Sequence, residues 1–228
     1  MISKERTDVF INSLDSGNSP LLDEIETESL QNYVPIIRKD MQGFLKFILA
    51  VRKPEKILEV GTATGFSALL MAENTSSDTM ITTIEKYEKR IPVAKENFKR
   101  AEKENRITLL EGDATDILKE LTGEFDFIFM DAAKGQYLSF LPDVLRLLTP
   151  GGMLITDNVL QDGDVLESRY AVTRRNRTIH NRMREYLYEL KNHPALDTVI
   201  LTVGDGIAIF FIGLPSLPLY HVFIIWSR

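Results

Sequence analysis

A doubly wound α/β architecture, built on a mostly parallel sheet that ends in an antiparallel hairpin, is predicted by three features of this sequence. Short runs that are apolar on both faces alternate with helical patterns between residues 56 and 157. Strands of that kind, separated by helices, form a parallel sheet covered on both sides. Gly61 and Gly65 stand between the first such strand and its helix, where a tight turn is needed. Lastly, "DTVILTVGDGIAIFF" (197–211) is two apolar runs split at Gly204-Asp205-Gly206, a turn signal between antiparallel strands.

The elements follow in order. Residues 1–54 show helical spacing without strands: Val9, Ile11 and Leu14, then Leu21, Leu22, Ile25 and Leu30, then Phe44, Leu45, Ile48 and Leu49. KILEVG (56–61) precedes a helix from about Phe66 to Asn74, and MITTIE (80–85) precedes a longer one across 87–104. RITLLEG (106–112) precedes a short helix, FDFIFMD (125–131) precedes a helix across 137–148, and GMLITD (152–157) closes the parallel series. With the hairpin this makes seven strands. The expected organisation is one domain over 1–228, with a helical part (1–54), an α/β core (55–212) and an apolar tail (213–228).

The whole-chain properties fit a soluble enzyme. The 228 residues carry no Pro/Gly/Ser-rich linker, and 44% hydrophobic with 26% charged residues is ordinary for a globular protein. A net charge of −6 offers no global attraction to nucleic acid or anionic membrane. With no cysteine, disulfides, thiolate metal sites and cysteine nucleophiles are excluded. MISKERTDVF lacks the layout of a signal peptide, and no apolar run approaches the ~20 residues of a membrane-spanning helix. A cytoplasmic location is the expectation.

Right-handed crossovers place all parallel strand ends along one edge, where ligands bind. That edge collects Gly61, Glu85, Gly112, Asp131 and Asp157. Glycines 61 and 65 permit close backbone approach at a helix N-terminus, and Glu85 suits a carboxylate that accepts from ribose hydroxyls. A dinucleotide is disfavoured, because Ala63 occupies the middle glycine of G-x-G-x-x-G and Glu59 would repel a pyrophosphate. Glu59 suits instead, directly or through water, the cationic amino-acid end of S-adenosylmethionine.

Here the chain resembles the Rossmann-like class I S-adenosylmethionine-dependent methyltransferases, with Glu59-x-Gly61-x-x-x-Gly65 as first motif and Glu85 as ribose acid. The resemblance implies that Ser67, the backbone near Gly61 and Met41 hold the methionine end. It also implies that Asp113 and Ala114 lie along the adenine edge, with Asp131 beside the cofactor.

Asp131 ends the fourth strand and Asp157-Asn158 ends the fifth, so two carboxylates and an amide oxygen converge, a set suited to a hard divalent cation such as Mg²⁺. Asp157 and Asn158 also fit the bland role of capping the next segment. Lys134, three residues past Asp131, can overhang such a cation, whose charge would keep some amine neutral near pH 7 as a general base. "MDAAKGQY" and "ITDNVL" resemble the metal-dependent family of catechol and caffeoyl-CoA O-methyltransferases. One departure is Ala133, where the animal catechol enzymes have a tryptophan.

For the acceptor, residues 169–184 hold six arginines, one histidine and no acid. On a helix, Ile179, Met183, Tyr186, Leu187 and Leu190 form an apolar stripe, leaving Arg174, Arg177 and Arg184 on another face. Such a run is either a solvated surface or a phosphate contact, through Arg174, Arg175 and Arg177, to a tRNA anticodon arm. "PLLDEIETESLQNYVPII" and "DAAKGQY" resemble the bacterial branch that makes 5-methoxyuridine from 5-hydroxyuridine at the tRNA wobble position. Small catechol-like phenols are the alternative acceptor, and a non-catalytic adenosine-ligand-binding protein is a third reading. The resemblance implies a homodimer. His180 and His193, away from strand ends, read as surface residues. "FFIGLPSLPLYHVFIIWSR", broken by Pro215 and Pro218, packs on its own domain, joins a neighbouring subunit or is an altered terminus.

Overall fold

The structure, a computed structural model, describes residues 4–212. The apolar tail, with the questions raised about it, lies outside the described residues. Three helices come first: α1 (Lys4–Asn12), α2 (Pro20–Gln31) and α3 (Lys39–Arg52). Ser19 caps α2 by accepting from the Leu22 N–H, and Pro20 occupies its first turn, where no donor is needed. The apolar residues Val9, Phe10 and Ile11 of α1 face outward, and Leu14, just past its end, is exposed too.

The core alternates strand and helix as expected: β1 (Lys56–Val60), α4 (Phe66–Glu73), β2 (Met80–Glu85), α5 (Ile91–Arg100), β3 (Ile107–Glu111), α6 (Ala114–Glu120), β4 (Phe125–Met130), α7 (Tyr137–Leu147) and β5 (Leu148–Thr156). Then come α8 (Arg177–Asn192), β6 (Leu196–Leu201) and β7 (Ile207–Ile212). The seven-stranded sheet runs β3-β2-β1-β4-β5-β7-β6, with β1 to β5 parallel and β7 antiparallel to both neighbours.

Both faces of the sheet are covered, and the strands alternate between them. On β4, Phe127 and Phe129 join a core under α2 to α5, while Ile128 and Met130 join one under α6 to α8. Helix α4 is buried along most of its length, from Phe66 through Ala72.

Two elements differ from the sequence reading. Helix α5 begins at Ile91 rather than near 87, because the Glu85 carboxylate captures the Lys86 and Tyr87 N–H groups and bends the chain there first. The arginines at 174 and 175 lie in the turn before α8, so Arg174 does not share a helix face with Arg177 and Arg184.

The strand order reverses between β1 and β4, and that switch point opens a crevice outside their carboxyl ends. Gly61 leaves β1 at φ +108°, and a Cβ there would sit 2.1 Å from the Asp131 carbonyl oxygen. Backbone crossing at that distance excludes every side chain. We therefore expect Gly61→Ala to destabilise the fold by about 3 kcal/mol, from left-handed strain and displacement of the β4 end. Urea denaturation measures it, and a loss under about 1 kcal/mol would show the crossing to be loose.

Candidate active site

The crevice encloses about 900 Å³ and runs from Ala114 past Gly61 to Asp205. Its cofactor end is built on main-chain capture. Glu85 accepts from the N–H groups of Ala63 (2.8 Å), Lys86 (3.0 Å) and Tyr87 (2.8 Å), so its carboxylate is fixed where it lines the wall. Asp113 caps α6 through the Thr115 N–H at 2.8 Å and pairs with Lys86 at 3.1 Å. Hydrogen bonds from Thr115, then Lys86, hold its carboxyl down to about 2. Ala114 and Met41 line the same cavity, Met41 with no exposed surface.

Glu59 occupies a different position from its expected one. It is fully buried and absent from the wall, accepting from the hydroxyls of Ser67 and Thr83. Burial pushes it up to about 7, only partly offset by those two donors. Ser67, which does line the wall, donates to Glu59 from the cavity side.

The opposite end gathers the acids. Asp131 Oδ1 accepts from the Asn158 side-chain amide at 3.0 Å, and Asp157 accepts from the Asn158 N–H at 2.7 Å. Asn158 takes left-handed φ +59°, which turns its side chain back toward Asp131. Burial, then the charge of Asp131, pushes Asp157 up to about 7, and burial raises Asp131 as well. Two carboxylates in mutual repulsion are a place where a cation is electrostatically favoured. Among the described residues no three His, Cys, Asp or Glu side chains form a metal-ligating group. Any ion here would rest on two carboxylates and, with its amide turned over, the Asn158 oxygen, a hard-oxygen set that fits Mg²⁺ and its retained waters.

Lys134 reaches into this end, half-buried, with Nζ 3.4 Å from Asp205 Oδ2. Asp205 is 7% exposed, and its other oxygen accepts from the Asp162 N–H. Nothing in the sequence reading singled out Asp205 beyond its turn. A buried acid in an Asp-Gly turn beside the crevice edge was the available signal. Asp40 was also missed; it accepts from the Gly204 N–H at 2.6 Å and so ties α3 to the same turn. Pro35, Ile36, Ile37 and Arg38 wall the mouth, where Arg38 pairs with Asp162 at 2.9 Å.

The arginine run does not reach the crevice: none of its six members lines the cavity. Arg177, Arg182 and Arg184 donate to the carbonyls of Val172, Gly135 and Val165, as local braces. Arg174 and Arg175 are exposed. His180 is 2% exposed rather than a surface residue, because the apolar stripe of α8 carries it inward, where Nε2 meets the Glu167 carbonyl oxygen at 3.1 Å.

A family model described as O-methyltransferase matches residues 12–211. A catechol O-methyltransferase from Mycobacterium tuberculosis is 31% identical over 213 residues, covering 89% of this chain and 93% of that one. A caffeoyl-CoA O-methyltransferase from Medicago sativa is 31% identical over 75% of this chain and 72% of its own. Among solved structures, a Podospora anserina methyltransferase with S-adenosylhomocysteine bound superposes with a TM-score of 0.84 at 27% identity, covering 94% and 98% of the two chains.

Folding raises the Glu59 carboxyl from 4.5 to about 7, so the folded chain holds that proton more tightly than the unfolded one. The stability attached to it is present below about pH 4.5 and is lost as pH rises through about 7. Between pH 5 and 8, Glu59→Gln should lose less stability than the wild type, by about 3 kcal/mol at most. Parallel urea curves for the two proteins would show instead that Glu59 is charged throughout.

Proposed function

Because the chain belongs to the O-methyltransferase family, we propose that it carries a methyl group from S-adenosylmethionine to a phenolic oxygen of a small catechol-like acceptor. The observation that carries this reading is the pair of buried, mutually repelling carboxylates Asp131 and Asp157 at adjacent strand ends, with the Lys134 amine beside them. An adenosine-binding module would need neither the acid pair nor the amine.

Each residue then has a task. Glu85 accepts from the ribose hydroxyls, while Ala114 and Asp113 border the adenine. Ser67, Met41 and the Gly61 turn hold the methionine end, and Glu59 orients Ser67 from behind. Asp131, Asp157 and Asn158 hold a divalent cation. When bound, that cation acts as a Lewis acid toward adjacent acceptor oxygens and lowers the pKa of the reacting hydroxyl. The Lys134 amine takes that hydroxyl's proton at Nζ. The acceptor oxygen forms a bond to the methyl carbon in line with the departing sulfur, which keeps the electron pair of the broken bond and becomes a neutral thioether. Asp205 keeps the amine over the site and stabilises it once protonated.

A small acceptor is supported by the names of the relatives and by the apolar mouth, Pro35 to Ile37. A tRNA 5-hydroxyuridine acceptor offers the same chelating oxygen pair, and exposed Arg174 and Arg175 favour it as a second reading. Alanine at Arg174, Arg175 and Arg177 separates the two. Catechol methylation should be unchanged. If tRNA is the acceptor, its binding should lose about 0.7–0.9 of log–log salt slope per phosphate contact removed.

Transfer of labelled methyl from S-adenosylmethionine to a catechol, abolished by chelator, is the primary test. Asp131→Ala and Asp157→Ala should remove both activity and cation dependence while the protein stays folded; near-normal turnover of either in chelator would refute the assignment. Lys134→Ala should lower turnover by roughly 10²–10⁴-fold. A change confined to cofactor affinity would make Lys134 a binding residue instead.

A further inference from the structure

We propose that Tyr137 is a positioning residue for the cation site, its single hydroxyl fixing the spacing of Asp131 and Asp157. The inference rests on the role proposed above for those two acids. Tyr137 opens α7 and has no exposed surface. Its hydroxyl lies 3.1 Å from the Asp157 carbonyl oxygen and 3.3 Å from that of Ala132, so one phenolic proton is shared between two strand ends. The regular β4–β5 register stops at Met130 and Thr156, and the Asp157 N–H donates to the Met130 carbonyl at 3.0 Å. Beyond that bond two ties join the segments: the Asn158 amide, which holds the Asp131 side chain, and the Tyr137 hydroxyl, which holds main chain on both sides.

Its position gives the tie a particular reach. Asp131 and Asp157 each lie one residue past the paired register, so the ladder alone does not set the gap between their side chains. Lys134 lies in the loop between Ala132 and Tyr137, and the Tyr137 to Ala132 bond closes that loop across its base. One hydroxyl therefore sets both the gap between the acids and the seat of the amine. Tyr186 packs against the ring at 5.7 Å and is itself tied to Thr156 at 2.6 Å, a similar bond one layer further from the crevice.

That second tyrosine supplies the control. Tyr137→Phe and Tyr186→Phe each remove one oxygen from a filled core, so the two should lower Tm by similar amounts. They differ in the cation. Calorimetric titration of Mn²⁺ into chelator-stripped full-length protein should show about tenfold weaker binding for Tyr137→Phe, the lower end of what an outer partner of a metal ligand is worth. Tyr186→Phe should bind as the wild type does. In turnover, Tyr137→Phe should recover most of its kcat at saturating cation. Wild-type affinity in Tyr137→Phe would overturn the proposal, as would equal weakening in both variants, which would mean general softening of the core. If the wild type binds no cation while Asp131→Ala retains full activity, the role given to the acids fails, and the tie's function fails with it.

Discussion

The crossing of main chain at Gly61 is the constraint on which the rest of the site depends. The Asp131 carbonyl passes where any Cβ at Gly61 would be. The turn after β1 and the loop after β4 are thereby pressed into one surface at the point where the sheet changes direction. Everything in the crevice hangs from one or other side of that contact. Ala63 and Glu85 stand on the β1–β2 side, while Asp131, Lys134 and, through the next strand, Asp157 stand on the other. A methyl donor and an acceptor can be brought within bonding distance because two loops have already been brought within van der Waals distance.

Three buried acids here have three kinds of neighbour. Glu59 is hidden among hydroxyl donors and raised to about 7, a support behind the wall rather than part of it. Asp157 is raised comparably, with a like charge as its second cause and no hydroxyl donor to offset it. Asp205, also buried, has an amine and a backbone N–H as partners, which makes it a fixture for Lys134. The difference lies in the neighbours each fold position supplies.

That contrast also marks what the sequence could disclose. Periodicity located the strands to within a few residues, and because the sheet is parallel, knowing where strands end was enough to put Glu85, Asp131 and Asp157 on one edge. Asp205 with Lys134 and Asp40 with Gly204 were not legible, since these partners are 71 and 164 residues apart and meet only after the hairpin folds back beside β5. Glu59 was legible as an acid at the right turn. Its inward orientation was not, because a strand buried on both faces gives no polar alternation to say which side is wet. The local bracing of the arginine run was hidden for a related reason: composition shows charge, whereas the backbone carbonyls that occupy Arg177, Arg182 and Arg184 are invisible until α8 is docked.

The mouth of the crevice belongs to other parts of the chain than the catalytic edge. Its walls come from residues 35–38, ahead of the sheet, and from the loop that carries Asp162, and the pair that joins them, Arg38 with Asp162, is largely solvent-exposed on both sides. An exposed pair of this kind contributes at most about 1 kcal/mol, so residues at both positions are free to vary with little penalty to folding. Substitution at the rim is thereby uncoupled, energetically, from substitution at the edge. A change at the rim would alter what can enter the crevice while leaving the Gly61 crossing and the acids beyond it untouched.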